Sequence, residues 1–342
     1  MTRTNLVATG LALGIALCTG VAAAQGSNTL AAVKARGHLL CGAHPGAPGF
    51  SQPNSRGEYT GFDADHCRAI AAAIFGDPQA IRFRPLSSQQ RLTAVQTGEI
   101  DVLIRTTTWS MARDTTSGLN VTNVTFYDGQ GFLVRTKLGL KSAKELDGAT
   151  ICVTSGTTNE LNLADWARAN NLRIQPLVID QNDETRKAYE SGRCDAFTTD
   201  ASQLAGIRTA LPVPAEHVVL PDIISKEPLG PYVRHGDDQW FDLVRWTMFA
   251  LVEAEELGVT SKNVDEMLKA PNPNIQRLLG VSGGFGKMIG LDDRWAYNAI
   301  KAVGNYGEIF DRNLGKESPL GLARGINALW NKGGLIYAPP IR

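Results

Sequence analysis

Apolar residues recur at helical spacing through residues 64–75 and 87–97, and they alternate or run together through 38–42, 81–84 and 100–104. In chain order this predicts a short helix over 29–36 stopped by Gly37, then a strand over 38–42. A loop follows over 44–56, rich in Pro, Gly, Ser and Asn. A helix over 64–75 ends at Gly76-Asp-Pro78, 81–84 reads as a strand, 87–97 as an amphipathic helix and 100–104 as a buried strand. The repeating βαβ order implies a largely parallel sheet with helices packed on it. Residues 124–136 read as extended chain, and a second α/β series begins beyond them. It has a capped helix at Ser142-Ala-Lys-Glu-Leu146, a strand over 149–153 and a helix opened by Ser155-Gly-Thr-Thr-Asn159 that runs through Asn170. A strand over 174–178, a helix over 183–191 and a strand over 194–199 ending at Asp200 complete it. The chain turns extended again at Ser225-Lys-Glu-Pro-Leu-Gly230, then enters a long amphipathic helix over 240–257. Two similar α/β halves joined by extended segments predict a two-lobed protein with a cleft.

The rest is helical and irregular, punctuated by Pro271-Asn-Pro273, Gly283-Gly-Phe-Gly286 and Gly333-Gly334. The glycines near 280–286 lack the Lys-Ser/Thr ending and the preceding strand of a phosphate loop, so they read as a helix-terminating turn.

Composition adds little beyond a globular class: 342 residues, 43% hydrophobic and 20% charged. The 34 basic residues balance 34 acidic ones, which gives no electrostatic reason to expect nucleic acid or a membrane surface as partner. The N-terminus changes the picture more. Arg3, an apolar run over 6–17 and Ala22-Ala-Ala24 before Gln25 form a secretory signal with cleavage expected after Ala24. The run is short for a membrane span, and Leu17 before Cys18 is larger than a lipoprotein signal usually carries. Cleavage leaves Cys41, Cys67, Cys152 and Cys194 in an oxidising compartment, where an even count suggests disulfides, with buried free thiols as the alternative. No CxxC pair or zinc-site spacing is present, so neither metal nor cofactor is expected.

Candidate chemistry concentrates in Arg105-Thr-Thr-Thr-Trp-Ser-Met-Ala-Arg113-Asp114, at the C-terminal end of the strand over 100–104. Hydroxyls, free backbone N–H groups and an arginine at that edge suit a small zwitterion. Arg113 offers a bidentate grip on a carboxylate, while Thr106 and Thr108 offer donors and acceptors to both ends of a ligand. The plainer reading is a capped helix whose arginine pairs with a surface acid.

In order and spacing, the chain resembles the periplasmic polar-amino-acid-binding proteins of ABC importers. The landmarks are Gly57-Glu-Tyr-Thr-Gly-Phe-Asp63, Leu92-Thr-Ala-Val-Gln-Thr-Gly-Glu-Ile-Asp101, Thr107-Thr-Trp-Ser-Met-Ala-Arg113, Ser155-Gly-Thr-Thr158 and Ser191-Gly-Arg-Cys-Asp-Ala196 with Asp200. Lys226-Glu-Pro-Leu-Gly230, Val303-Gly-Asn-Tyr-Gly-Glu-Ile309 and Ala328-Leu-Trp-Asn-Lys-Gly-Gly334 resemble the general L-amino-acid branch in particular.

The resemblance implies an α/β, type II Venus-flytrap fold. Residues 25–128 would form the first part of lobe 1, 129–227 lobe 2, and 228–342 the rest of lobe 1 with a C-terminal extension. It implies one disulfide within each lobe, Cys41–Cys67 and Cys152–Cys194. Arg113 would hold the α-carboxylate with the main-chain N–H groups of Thr108 and Thr158, beside Thr157 at a helix start. Asp200 would accept the α-ammonium, completed by the Thr106 carbonyl and the Thr108 hydroxyl. Asp200, Thr157 and Thr158 have a plainer reading as helix caps. Where better-known members clamp the ligand side chain between apolar groups, this chain has Ala47 and Ser88, with His44 and Gln89 as polar neighbours. That fits broad specificity or polar ligands: glutamine, glutamate, asparagine and aspartate. The implied protein is a periplasmic monomer that delivers L-amino acids to the permease subunits of an ABC transporter. An exported dehydratase-type enzyme and a ligand-presenting sensor are the competing readings.

Overall fold

The computed structural model describes residues 28–342; the expected signal, with Cys18 and the cleavage site after Ala24, lies outside them. Two five-stranded sheets organise the chain. In the first, Leu39–Ala43 runs parallel between Ile81–Pro85 and Val102–Leu103, and Tyr232–Arg234 with Leu119–Val121 completes it antiparallel. In the second, Thr150–Thr154 runs parallel to Gln175–Ile179 and Ala196–Asp200, while Gln130–Arg135 and His217–Val219 join antiparallel. The sheets are more mixed than the βαβ pattern predicts. A parallel neighbour needs a crossover long enough for a helix, and the antiparallel strands come from the extended stretches around the two crossings.

The crossings pair with each other. Phe126–Asp128 and Glu227–Leu229 form an antiparallel ribbon, with Asp128 opposite Glu227 and Phe126 opposite Leu229. The lobes are therefore joined by a hydrogen-bonded hinge of two strands.

Each sheet buries apolar residues on both faces. In lobe 2 the period-two alternation of a strand sorts them. Phe132, Val134, Ile151 and Val153 share one core with Leu163, and Leu133, Cys152 and Phe197 share the other with Tyr189 and Leu204. Cys152 bonds Cys194 with Cα atoms 5.6 Å apart, and Cys41 bonds Cys67 at 6.3 Å, tying the first strand to the helix Phe62–Phe75. This is the pairing the resemblance implies.

Lobe 1 is completed by the end of the chain. The helices Trp295–Val303 and Tyr306–Asn313 contribute Ile300, Tyr306 and Phe310 to the same buried cluster as Phe50, Phe62 and Phe126. Ring pairs such as Phe62–Tyr306, 5.7 Å between centroids, lock this junction edge to face. Beyond it, Asn327 clamps the hinge: its Oδ1 accepts from Tyr127 N–H at 2.7 Å and its Nδ2 donates to the Tyr127 carbonyl at 2.9 Å. The extension thus packs on lobe 1 and reaches the first hinge strand.

One local departure matters for the site. The helix expected over 87–97 begins only at Arg91. Gln90 N–H donates to Ser87 Oγ at 3.2 Å and Ser87 N–H to Gln90 Oε1 at 3.3 Å, so polar side chains take the backbone groups and hold 87–90 as a turn.

Candidate functional site

The lobe 1 wall grows from the end of the strand Val102–Leu103. Arg105 is buried, with Nε donating to the Leu86 carbonyl at 2.8 Å and Nη2 to Ser88 Oγ at 3.2 Å. Thr106 takes the left-handed conformation at φ 43°, uncommon for a β-branched residue, and its N–H donates to Asp63 Oδ2 at 2.8 Å. Burial pushes the Asp63 carboxyl up to about 7, against the pull of that N–H and of Arg105. The Thr108 carbonyl accepts from the Tyr232 hydroxyl at 2.6 Å and from Arg113 Nη1 at 3.0 Å. Arg113 stands in the helix Met111–Thr116, whose N-cap Ser110 accepts from the Arg113 N–H. Its guanidinium has five N–H donors, so most remain beyond the one on Thr108.

Lobe 2 presents a helix start and a buried acid. Thr157 is the N-cap of Thr158–Ala169: its hydroxyl accepts from Glu160 N–H at 3.2 Å and donates to the Thr154 carbonyl at 2.7 Å. The capping reading therefore describes the Thr157 side chain. It does not describe Asp200, which occupies the N-cap position of Ala201–Thr209 without a side-chain capping bond. Asp200 accepts instead from Asn159 Nδ2 at 2.9 Å and Gln203 Nε2 at 3.2 Å. Burial first, then the Asp128 and Glu227 carboxylates, hold its pKa well above the ordinary 3.8.

Glu227, on the second hinge strand and 1% exposed, joins both walls. Its Oε2 accepts from Thr108 Oγ1 at 2.5 Å and Thr158 Oγ1 at 2.8 Å. Its Oε1 accepts from Ser225 Oγ at 2.6 Å and Asn162 Nδ2 at 2.7 Å.

Two buried donors lack a partner at the other end of the site. His44 Nδ1 accepts from Gly46 N–H at 3.0 Å, so the neutral ring carries its hydrogen on Nε2, which is buried and unpartnered. Burial, then Arg105 and Arg91, hold His44 well below 6.5 and so neutral. Arg91, 3% exposed, has an unpartnered Nε and stands at the first position of its helix, where the dipole disfavours a cation. Burial, then Arg105 and Arg113, work against its charge. An orphaned buried arginine beside two others is costly unless an anion or carbonyl oxygen meets it. Arg91 was missed as a site residue; its one sequence signal is its place three residues after Ser88, on the same face.

Of the expected residues, Ser88, Thr106, Thr108, Thr157, Thr158 and Asp200 line one small cavity with His44, Arg91 and Arg105. Arg113 is not among the residues that line it; its Nη1 is held on the Thr108 carbonyl. The lobes meet across the cleft: Gln89 Nε2 donates to Ser155 Oγ at 2.9 Å, and the hydroxyls of Thr108 and Thr158 lie 3.4 Å apart. The cavity between them measures about 10 Å³, room for a single water, so a ligand enters only as the lobes part. His44, Asn182 and Gln203 also line an outer cavity of about 270 Å³, where Ala47 lies. Among the described residues no His/Cys/Asp/Glu group has metal-binding geometry, and no helix is long and apolar enough to cross a membrane.

Comparison with known proteins agrees with this architecture. The chain is 55% identical over 333 residues to the general L-amino acid-binding periplasmic protein AapJ of Rhizobium johnstonii, covering 97% of this chain and 98% of the relative. It is 53% identical to the glutamate/glutamine/aspartate/asparagine-binding protein BztA of Rhodobacter capsulatus, covering 96% and 97%. A solved periplasmic binding protein from Brucella ovis, with glutathione bound, superposes with a TM-score of 0.91 at 55% identity, covering 92% of this chain and all of that one. The fold is accordingly the two-lobed type II fold of periplasmic binding proteins. Residues 39–264 match the model of the bacterial extracellular solute-binding proteins, family 3, and the chain belongs to that family.

Proposed function

We propose that this protein captures L-amino acids with acidic or amide side chains in the periplasm, then delivers them unchanged to the permease of an ABC importer. The observation that carries this is the division of charge across one closed cleft. Arg91 and Arg105 line the lobe 1 side, with Arg113 held next to it on the Thr108 carbonyl; Asp200 lines the lobe 2 side, and the hinge carboxylate Glu227 bridges the two. Arg113, with the backbone N–H groups of Thr108 and Thr158, takes the α-carboxylate, and Asp200 takes the α-ammonium. A zwitterion bridging them favours the closed form, because the open form offers only half the contacts. Arg91, His44 Nε2–H and Ser88 then meet an oxygen on the ligand side chain. That choice agrees with the ligands named for the Rhodobacter capsulatus relative. A non-catalytic role fits the binding proteins that the chain resembles.

The test is a thermal-shift screen of the chain from Gln25 onward against the common L-amino acids. A ligand at a hundred times its dissociation constant stabilises by about 2.7 kcal/mol. Glutamate, glutamine, aspartate and asparagine are expected to give the largest shifts, all lost in Arg113→Ala. No shift with any amino acid would sink the proposal.

A further inference from the structure

We propose that Glu227 is a positioning residue for the ligand ammonium and a closure latch, because it draws both lobe hydroxyls, Thr108 and Thr158, onto one buried carboxylate oxygen. The inference rests on the zwitterion reading above. A carboxylate only accepts, so each threonine must spend its single hydroxyl hydrogen on Glu227. What remains on each oxygen is its two acceptor lone pairs. Both residues line the cavity that holds Asp200, so their hydroxyls present acceptors there, the polarity an ammonium needs, while the α-carboxylate is left to their backbone N–H groups. Without Glu227 the hydroxyls would be free to rotate and donate.

The same arrangement reports closure. Thr108 belongs to lobe 1, Thr158 to lobe 2 and Glu227 to the strand that joins them, while Ser225 and Asn162 fix the other carboxylate oxygen. Both threonines reach one oxygen only when the lobes meet. Once they separate, the buried carboxylate loses a partner from at least one lobe, which favours closure. Closing the cleft and setting the polarity of the ammonium site are then one event.

The test is a mutant cycle read by isothermal titration of L-glutamine into the mature full-length chain. Glu227→Ala is expected to weaken binding by about 30-fold, the scale of a misplaced buried polar contact. In a Thr108→Val/Thr158→Val background the same change is expected to cost less than about 3-fold, since coupled residues are not additive. Equal losses in both backgrounds, or no loss in either, would overturn the proposal. Unliganded melting curves establish that each variant folds. Should Glu227→Ala fail to fold, Glu227→Gln, which keeps one acceptor oxygen, gives the same cycle with a smaller loss. Asp200→Asn, titrated alongside, separates the two ideas: if it binds glutamine like wild type, the zwitterion reading fails. If it abolishes binding while Glu227→Ala does not weaken it, only the latch fails.

Discussion

Asn159 Nδ2 donates to Asp200 Oδ1 at 2.9 Å, yet this bond does not offset the burial of the acid beside Asp128 and Glu227. A carboxyl raised in the folded chain keeps its proton at pH values where the unfolded chain has released it. Its contribution to unliganded stability is full below the ordinary 3.8 and is lost as pH climbs through the raised value. A bound ammonium reverses the balance by favouring the ionised form. Ligand binding should therefore release a proton, and affinity should rise with pH across the same window. Titration in two buffers of different ionisation enthalpy measures that proton. Asp200→Asn should release less, and should bind amino acids weaker by about 2–5 kcal/mol, the cost of truncating a buried charge pair.

Replacing Arg91 separates stability from specificity. Arg91→Met removes a buried, partly unpartnered cation, so the unliganded protein should melt at the same temperature or higher. Binding of glutamate should weaken by about 2–3 kcal/mol, as for a lost hydrogen bond to a charged group, while alanine changes little. Titrating both ligands into wild type and variant checks this. Equal losses for the two would place Arg91 outside the side-chain pocket.

The lobe 2 disulfide closes a loop between residues 42 positions apart. Replacing Cys152 and Cys194 by alanine should cost about 2–4 kcal/mol. The measurement is urea unfolding of both proteins, with the wild type repeated under reductant; an unchanged midpoint would refute the bond.

Tyr306 carries the extension into the lobe 1 core, with its ring against Phe62 and its hydroxyl donating to the Thr125 carbonyl at 2.9 Å. Tyr306→Ala should destabilise by about 3–5 kcal/mol, as for a buried aromatic, and leave the ranking of ligands intact. Denaturant midpoints and a ligand panel together check it; a reordered ranking would mean that the extension shapes the cleft.

The two-lobed plan was legible because two βαβ series with separate periodicities flank the extended stretches. Arg113 and Asp200 stood out for a related reason: Asp200 closes a predicted strand and Arg113 lies beyond one, where open α/β sheets gather their ligands; the cavity takes in Asp200 and not Arg113. Arg91 was hidden by a boundary. Read inside a continuous helix over 87–97 it looks like a solvated arginine, and only the Ser87–Gln90 turn makes it the first, buried residue of the helix. Glu227 was hidden by distance, since the threonines it serves lie 119 and 69 positions away. The antiparallel strands were hidden because short extended stretches carry no sign of their partners.

The clamp of Asn327 on Tyr127 has a consequence for when the molecule becomes functional. Lobe 2 draws on a continuous stretch of chain and is complete once that stretch is available. Lobe 1 and the hinge wait for Tyr306, Phe310 and finally Asn327, near the opposite end of the polypeptide from the first strand. Contacts spanning so much sequence form late. In refolding from denaturant, lobe 2 should therefore regain its structure first, with lobe 1 and the ribbon at the crossings ordering only when Tyr306, Phe310 and Asn327 dock.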